Sequence, residues 1–272
     1  MKKIVAVIAI CWSSLAQAQA PEAGEIRFDQ HVANCENKWF GAKTVDGKVA
    51  LGYVYIDPTA GFTFENYGYL DSSDGELRAI KSELYDKARV ITRIAQNFPA
   101  ACLTEAQATT LGLPSSPESM EFYTDDRPTG EHHASWAYHY NHIGASEIAL
   151  DHASKAIAAG YSSPGLTFEH AYALNALGKF DQAAFLLAPV IASNTKTADL
   201  IAELAYAKLM QGEYQEAIDL YTQAIDHRDR EGYSQRRWEF ARNIAAAYEN
   251  LSNIKQRDHW IKLSDRYRKD GK

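Results

Sequence analysis

The sequence predicts a mainly α chain, a solenoid of stacked helical repeats preceded by a small α+β domain, and three observations lead there. Gly144, Gly178 and Gly212 stand 34 residues apart, and each opens a phrase closed five residues later by Ala149, Ala183 and Ala217. Seven residues beyond those come Ala156, Val190 and Ala224. Self-similarity at a fixed period of this size marks stacked helix-turn-helix units, each of which can bury its apolar face only against a neighbour. Ahead of the repeats the composition is aromatic and β-branched on both sides of Asp46-Gly47, a two-residue hairpin signal.

Taken in order, the chain opens Met1-Lys2-Lys3, runs through apolar residues Ile4 to Trp12 and ends in small residues at Ala16, Ala18 and Ala20. This is the pattern of a secretory signal, assigned to residues 1–18 because cleavage after Ala20 would leave Pro21 just past the scissile bond. A membrane anchor would need about 20 apolar residues, roughly twice this run. Lipidation at Cys11 is the lesser alternative, since Ile10 precedes it and not a small residue. Loss of Lys2 and Lys3 turns 28 basic residues into 26 against 35 acidic ones, a net charge near −9. Nucleic acid is thereby excluded as a partner, because phosphate binding needs clustered basic charge. The signal predicts a periplasmic protein that meets a membrane only through a partner. Cys35 and Cys102 remain, and an oxidising compartment makes a disulfide between them the expectation, with two buried thiols as the rival reading.

Residues 19–113 form the predicted α+β domain. Strands are expected over Trp39 to Thr44, Val49 to Ile56 and Phe62 to Tyr69, joined at Asp46-Gly47 and at Asp57 to Gly61 into a three-stranded meander. Leu77, Ile80, Leu84, Ala88, Ile91 and Ala95 recur at three- and four-residue spacing, which predicts a helix over 76–97. Thr104 reads as the N-cap of a short helix ending near Gly112. Residues 114–129, which open Pro114-Ser-Ser-Pro117 and close Arg127-Pro128-Thr129 ahead of Gly130, read as a linker to the array at 130–272.

The repeats resemble the tetratricopeptide family. With each glycine at the fifteenth position, units start near Gly130, Pro164 and Ala198, and the family's small residue falls on Ala137, Ala171 and Ala205. The turn aromatic falls on Phe180 and Tyr214, whereas the first unit carries Ser146 instead. A divergent fourth or capping unit fits if about six residues are inserted within Arg228 to Ser234, with Ala245, Tyr248, Ile254 and Ile261 apolar and Arg257 in a small-residue slot. The run Gly52-Tyr53-Val54-Tyr55-Ile56-Asp57-Pro58 with Gly61-Phe62 is similar to leading segments of uncharacterised exported members from Gram-negative bacteria, and no activity comes with that likeness.

Family geometry implies a concave wall built from the first helix of each unit. It carries Tyr138, Tyr172 and Tyr206 at one inward position and Asn141 and Asn175 at another, with His142, Phe168, Leu209 and Met210 beside them and Arg242 at the far end. Tyrosine and asparagine offer flat apolar faces and hydrogen-bonding groups, which suits an extended peptide. The tyrosines could equally stiffen the array by packing between first helices. The lysine and asparagine clamp with which some members hold a terminal carboxylate is not matched.

No nucleophile elbow, phosphate loop, His-Glu-x-x-His or close cysteine pair occurs, so no catalytic residue and no cofactor is assigned. His132, His133, His139 and His142 crowd one helix, but the last two fall on different sides of it, and no metal is assigned either. The expected function is a non-enzymatic adaptor that holds a protein segment in the groove. Two alternatives stand beside it: a cell-envelope hydrolase using Asp57, Glu65 and Asp71, and a homo-oligomer formed by repeats stacking between chains.

Overall fold

The computed structural model describes residues 26–73, 75–123, 125, 127–193, 197–227 and 236–270. The signal segment expected over 1–18 and the insertion expected within Arg228 to Ser234 lie outside them.

The N-terminal module is a seven-stranded antiparallel sheet. Its strands are β1 (Gln30–His31), β2 (Lys38–Lys43), β3 (Val49–Asp57), β4 (Gly61–Asp71), β5 (Arg78–Lys81), β6 (Ile91–Arg93) and β7 (Pro99–Cys102). The order is β1-β7-β2-β3-β4-β5, with β6 also on β4. The meander β2-β3-β4 turns at Gly47, with φ +83°, and at Gly61, with φ +81°, conformations open to glycine. Asp57 fixes the second turn by accepting from Thr59 N–H at 2.9 Å and Ala60 N–H at 3.2 Å.

The helix expected over 76–97 is absent, and strands β5 and β6 stand there with a turn between them. None of the six apolar residues on the supposed stripe is buried, and Leu84 is 55% exposed. The deciding factor is nonlocal. β4 is eleven residues long, and β3 satisfies only one of its edges; β5 pairs with Gly68 to Asp71 and β6 with Thr63 to Glu65 on the other. Unpaired buried backbone groups along that edge would cost more than the propensity of a short helix returns.

Alternation along β3 and β4 gives the sheet two apolar faces. Tyr53 and Tyr55 face a strap formed by α1 (Glu105–Thr110) and the residues that follow, packing with Trp39, Leu51, Leu103, Ala108 and Leu113. Thr104 caps α1 in a reciprocal capping box with Gln107. The tract expected to be a linker is part of this layer. Pro114 C=O accepts from Trp39 Nε1 at 2.6 Å, Ser119 donates to Glu65 at 2.6 Å, and the Tyr123 ring lies 4.6 Å from that of Tyr55.

The other face, with Phe40, Val54, Ile56 and Phe62, shares a core with Trp136, Tyr140, Ile143, Ala149 and Ala173 of the helices. Those helices form four pairs: α2 (Thr129–His142) with α3 (Ser146–Ala158), α4 (Pro164–Ala176) with α5 (Phe180–Ala192), α6 (Ala198–Met210) with α7 (Tyr214–Asp226), and α8 (Arg237–Asn250) with α9 (Ile254–Asp270). They make a helical solenoid whose first end is covered by the sheet. Hydrogen bonds add to this shared core in binding the module to it. Glu36 accepts from Trp136 Nε1 at 2.6 Å and from the Tyr140 hydroxyl, and Asn97 N–H donates to Ile143 C=O at 2.7 Å. Next to Glu36 lies a disulfide, Cys35–Cys102, which ties the approach to β2 to the end of β7. At the opposite end α9 buries only Ser264, whose hydroxyl donates to Trp238 C=O at 2.8 Å where the two helices pass closely.

Candidate partner-binding site

The first helices α2, α4, α6 and α8 lie side by side and form one wall. Small residues allow each to approach its own second helix: Ala137, Ala171 and Ala205 are fully buried, as are Ala149 and Ala183 across from them. With these positions turned inward, the residues one step along each first helix face out. Tyr138 and Tyr172 are 49% and 38% exposed, while Tyr206 is half-buried with its ring 6.2 Å from Phe180.

A cavity of about 280 Å³ opens on the wall between α4, α6 and α8. Tyr172, Tyr206, Tyr221 and Phe240 give it aromatic sides, and Asn175, Glu203, Arg236, Glu239 and Asn243 give it polar ones. Arg236 is held by Asp199 at 2.8 Å and Glu239 at 3.0 Å, with its guanidinium 5.4 Å above the Phe240 ring. Asn243 Nδ2 donates to the Tyr221 hydroxyl at 2.8 Å. Burial raises the pKa of Glu203 above the ordinary carboxylate value, with Asn175 and Arg236 opposing the shift. Burial also raises Tyr172. Arg236 is pulled down by burial and pulled up more strongly by Glu239 and the neighbouring carboxylates, so it stays charged.

Of the residues expected on the wall, Tyr172, Tyr206 and Asn175 meet in this cavity. Phe168 packs against Tyr172 at 6.1 Å, and His142 is exposed and stacked on Tyr138 at 5.9 Å. Leu209 is half-buried in the core toward the last pair, and Met210 and Arg242 are exposed; none of these three lines the cavity. The asparagines need correcting as ligand-facing donors. Asn141 and Asn175 are 5% and 4% exposed, and each spends its Nδ2 on the next first helix. Asn141 reaches Glu169 C=O at 2.9 Å and its carboxylate at 2.8 Å; Asn175 reaches Glu203 C=O and carboxylate, both at 3.0 Å. The donors are therefore committed to holding successive units in register. Glu169 and Glu203, 34 residues apart and each 28 beyond its asparagine, were the available signal. Tyr221 and Arg236 lie off the first helices, so repeat phasing alone could not find them.

The histidines do not converge. His132 Nδ1 meets Asp125 at 2.6 Å, His133 Nδ1 meets His152 Nδ1 at 3.2 Å, His139 is buried beside Gly61, and His142 stacks on Tyr138. Among the described residues no three His, Cys, Asp or Glu side chains are grouped to hold a metal. The three acids considered for hydrolysis are also apart in their partners. Asp57 pairs with Arg93 at 3.0 Å, Glu65 with Arg89 at 2.7 Å, and Asp71 with the Ser73 N–H at 3.1 Å. Glu65 borders a cavity of about 490 Å³ under the strap, to which neither Asp57 nor Asp71 contributes.

No family model matches the chain, and no curated protein does. Among solved structures the chain is similar to a crystal structure of MamA, at 20% identity over 53% of this chain and 81% of that one, with a TM-score of 0.45. BtubC from P. vanneervenii matches at 15% identity over 52% of this chain and 63% of that one, with a TM-score of 0.44. A Podosopora anserina protein with nearly identical TPR-like repeats matches at 19% identity over 55% and 79%, with a TM-score of 0.42.

Proposed function

We propose that the protein is an exported, periplasmic and non-enzymatic adaptor of tetratricopeptide type, which holds an extended protein segment against its concave wall. The observation that carries this reading is the cavity between Tyr172 and Tyr206, where aromatic faces and hydrogen-bonding groups stand together on a surface fixed by buried links between units. Such a surface fits recognition of an extended chain, since side chains find apolar walls and backbone groups find polar partners. Among the described residues no helix is long and apolar enough to cross a membrane; in this reading the partner makes any contact with one. The dispersal of Asp57, Glu65 and Asp71 favours the adaptor over the hydrolase. The sheet acts as a cap, closing the first repeat and contributing a bank to the groove. Replacing Tyr172→Ala and Tyr206→Ala together should abolish capture of the partner in a crosslinking pull-down while leaving thermal unfolding nearly unchanged. Undiminished capture by a folded double variant would defeat the groove assignment.

A further inference from the structure

We infer that the segment held in the groove is basic, and that a lysine or arginine side chain of the partner occupies the cavity between Tyr172 and Tyr206. The inference rests on the adaptor reading above. Charge is its first support. Among the described residues, Asp199 and Glu239 both pair with Arg236, two carboxylates against one guanidinium, and the buried Glu203 stands beside them. An anionic partner would have to break those pairs, whereas a cation meets carboxylate charge that, among the described residues, one guanidinium does not balance.

Hydrogen-bond sense is the second support, and it is independent of charge. Asn175 is 4% exposed and lines the cavity, and its Oδ1 is buried with no donor among the described residues, its Nδ2 being used by Glu203. A buried acceptor without a donor is costly, so the group missing here is a donor. Ammonium and guanidinium carry donors only. The corresponding Asn141 Oδ1 also lacks a donor among the described residues, but Asn141 does not line this cavity.

The walls are the third. A cation is attracted to an aromatic face, and Phe240 already carries the Arg236 guanidinium at 5.4 Å. Tyr172 and Tyr206 stand on the same cavity. Tyr172 and Ala176 also border a second cavity of about 430 Å³, whose far bank is His31, Asn34 and Asn97 of the sheet module and whose rim carries Glu147. The held segment therefore runs from the cavity past Tyr172 onto the module, again beside negative charge.

The test is selection of a displayed random dodecapeptide library on the purified chain, on Tyr172→Ala/Tyr206→Ala and on Asp199→Asn/Glu239→Gln. Side chains of Asp199 and Glu239 are 51% and 38% exposed, so the last variant should keep its thermal unfolding curve. Expected is enrichment of Lys or Arg at one position among peptides that depend on Tyr172 and Tyr206. Affinity of those peptides should fall about five-fold in Asp199→Asn/Glu239→Gln, the size expected for two partly exposed charge pairs. Tyrosine-dependent peptides that are neutral or acidic at every position would overturn the inference and leave the adaptor reading standing. Unchanged affinity in Asp199→Asn/Glu239→Gln would overturn it equally. Selection of no tyrosine-dependent peptide would defeat the adaptor reading itself, and the inference with it.

Discussion

Glu36→Ala should loosen the cap from the solenoid, and the structure sets the size of the effect. The carboxylate accepts two hydrogen bonds from α2, from Trp136 Nε1 at 2.6 Å and from the Tyr140 hydroxyl. Trp136 and Tyr140 are 7% and 3% exposed, so their donors are poorly placed to recover water. Burial, then the Glu36 charge, pushes the Tyr140 phenol well above its ordinary pKa, and it remains a donor at any working pH. A hydrogen bond to a charged group contributes about 1.5–3 kcal/mol, and an orphaned buried donor costs about 1–3 kcal/mol. Because Glu36 is itself only half-buried, the two together come to about 2–4 kcal/mol rather than the full sum. Urea unfolding followed by tryptophan fluorescence would measure it, with Glu36→Gln as the intermediate case that keeps one acceptor. In a double-mutant cycle, Glu36→Ala and Tyr140→Phe should couple by about 1 kcal/mol or more. A loss below about 0.5 kcal/mol for Glu36→Ala would refute the view that this carboxylate joins the two halves.

Three further outcomes follow from the same packing. His152, half-buried against His133 and Tyr140, has its pKa lowered to about 4, chiefly by burial and then by His133 and Lys155. Its stabilising contribution is present above the unfolded value of about 6.5 and is lost as pH falls through about 4, at most about 3 kcal/mol and about 1–2 after solvent screening. His152→Gln should flatten that fall in a pH series of melting curves; Glu169 and Glu203, raised by burial, act in the opposite sense in both proteins and cancel in the comparison. Gly61→Ala should destabilise by about 1–2 kcal/mol, since φ is +81° and the new Cβ would stand 3.2 Å from His139 Nδ1. Asn175→Ala leaves a buried Glu203 carboxylate without its donor and should cost about 1–3 kcal/mol in chemical unfolding, marking Asn175 as a link between units.

The solenoid was legible because the same local rule is written repeatedly. The second helices α3, α5 and α7 begin at Ser146, Phe180 and Tyr214, in phase with the three glycines, and α9 begins 40 residues after α7, which accommodates the extra residues of the last unit. Register between units was not legible from the wall positions alone. An asparagine at an inward position reads as a ligand donor until the glutamate 28 residues later is seen to claim it. The sheet was half legible. Turn chemistry at Asp46-Gly47 and Asp57 to Gly61 fixed the meander, but the fate of residues 76–97 depended on the unfilled edge of β4, which no local window contains. Ser146, the departure from the turn aromatic, lies beside Ile143 and Ala145, which pack into the core shared with the sheet, so the cap occupies that end of the first unit.

The most direct measurement of the central claim, that the concave wall is where a partner is held, is in-cell photocrosslinking from a photoreactive residue at Tyr172. The control is the same residue at Phe185, which is 85% exposed on α5 and outside this cavity. A discrete crosslinked protein from position 172 and none from 185, its peptide carrying lysine or arginine at the attachment site, is the predicted result. The same products from both positions, or products from 185 alone, would contradict it.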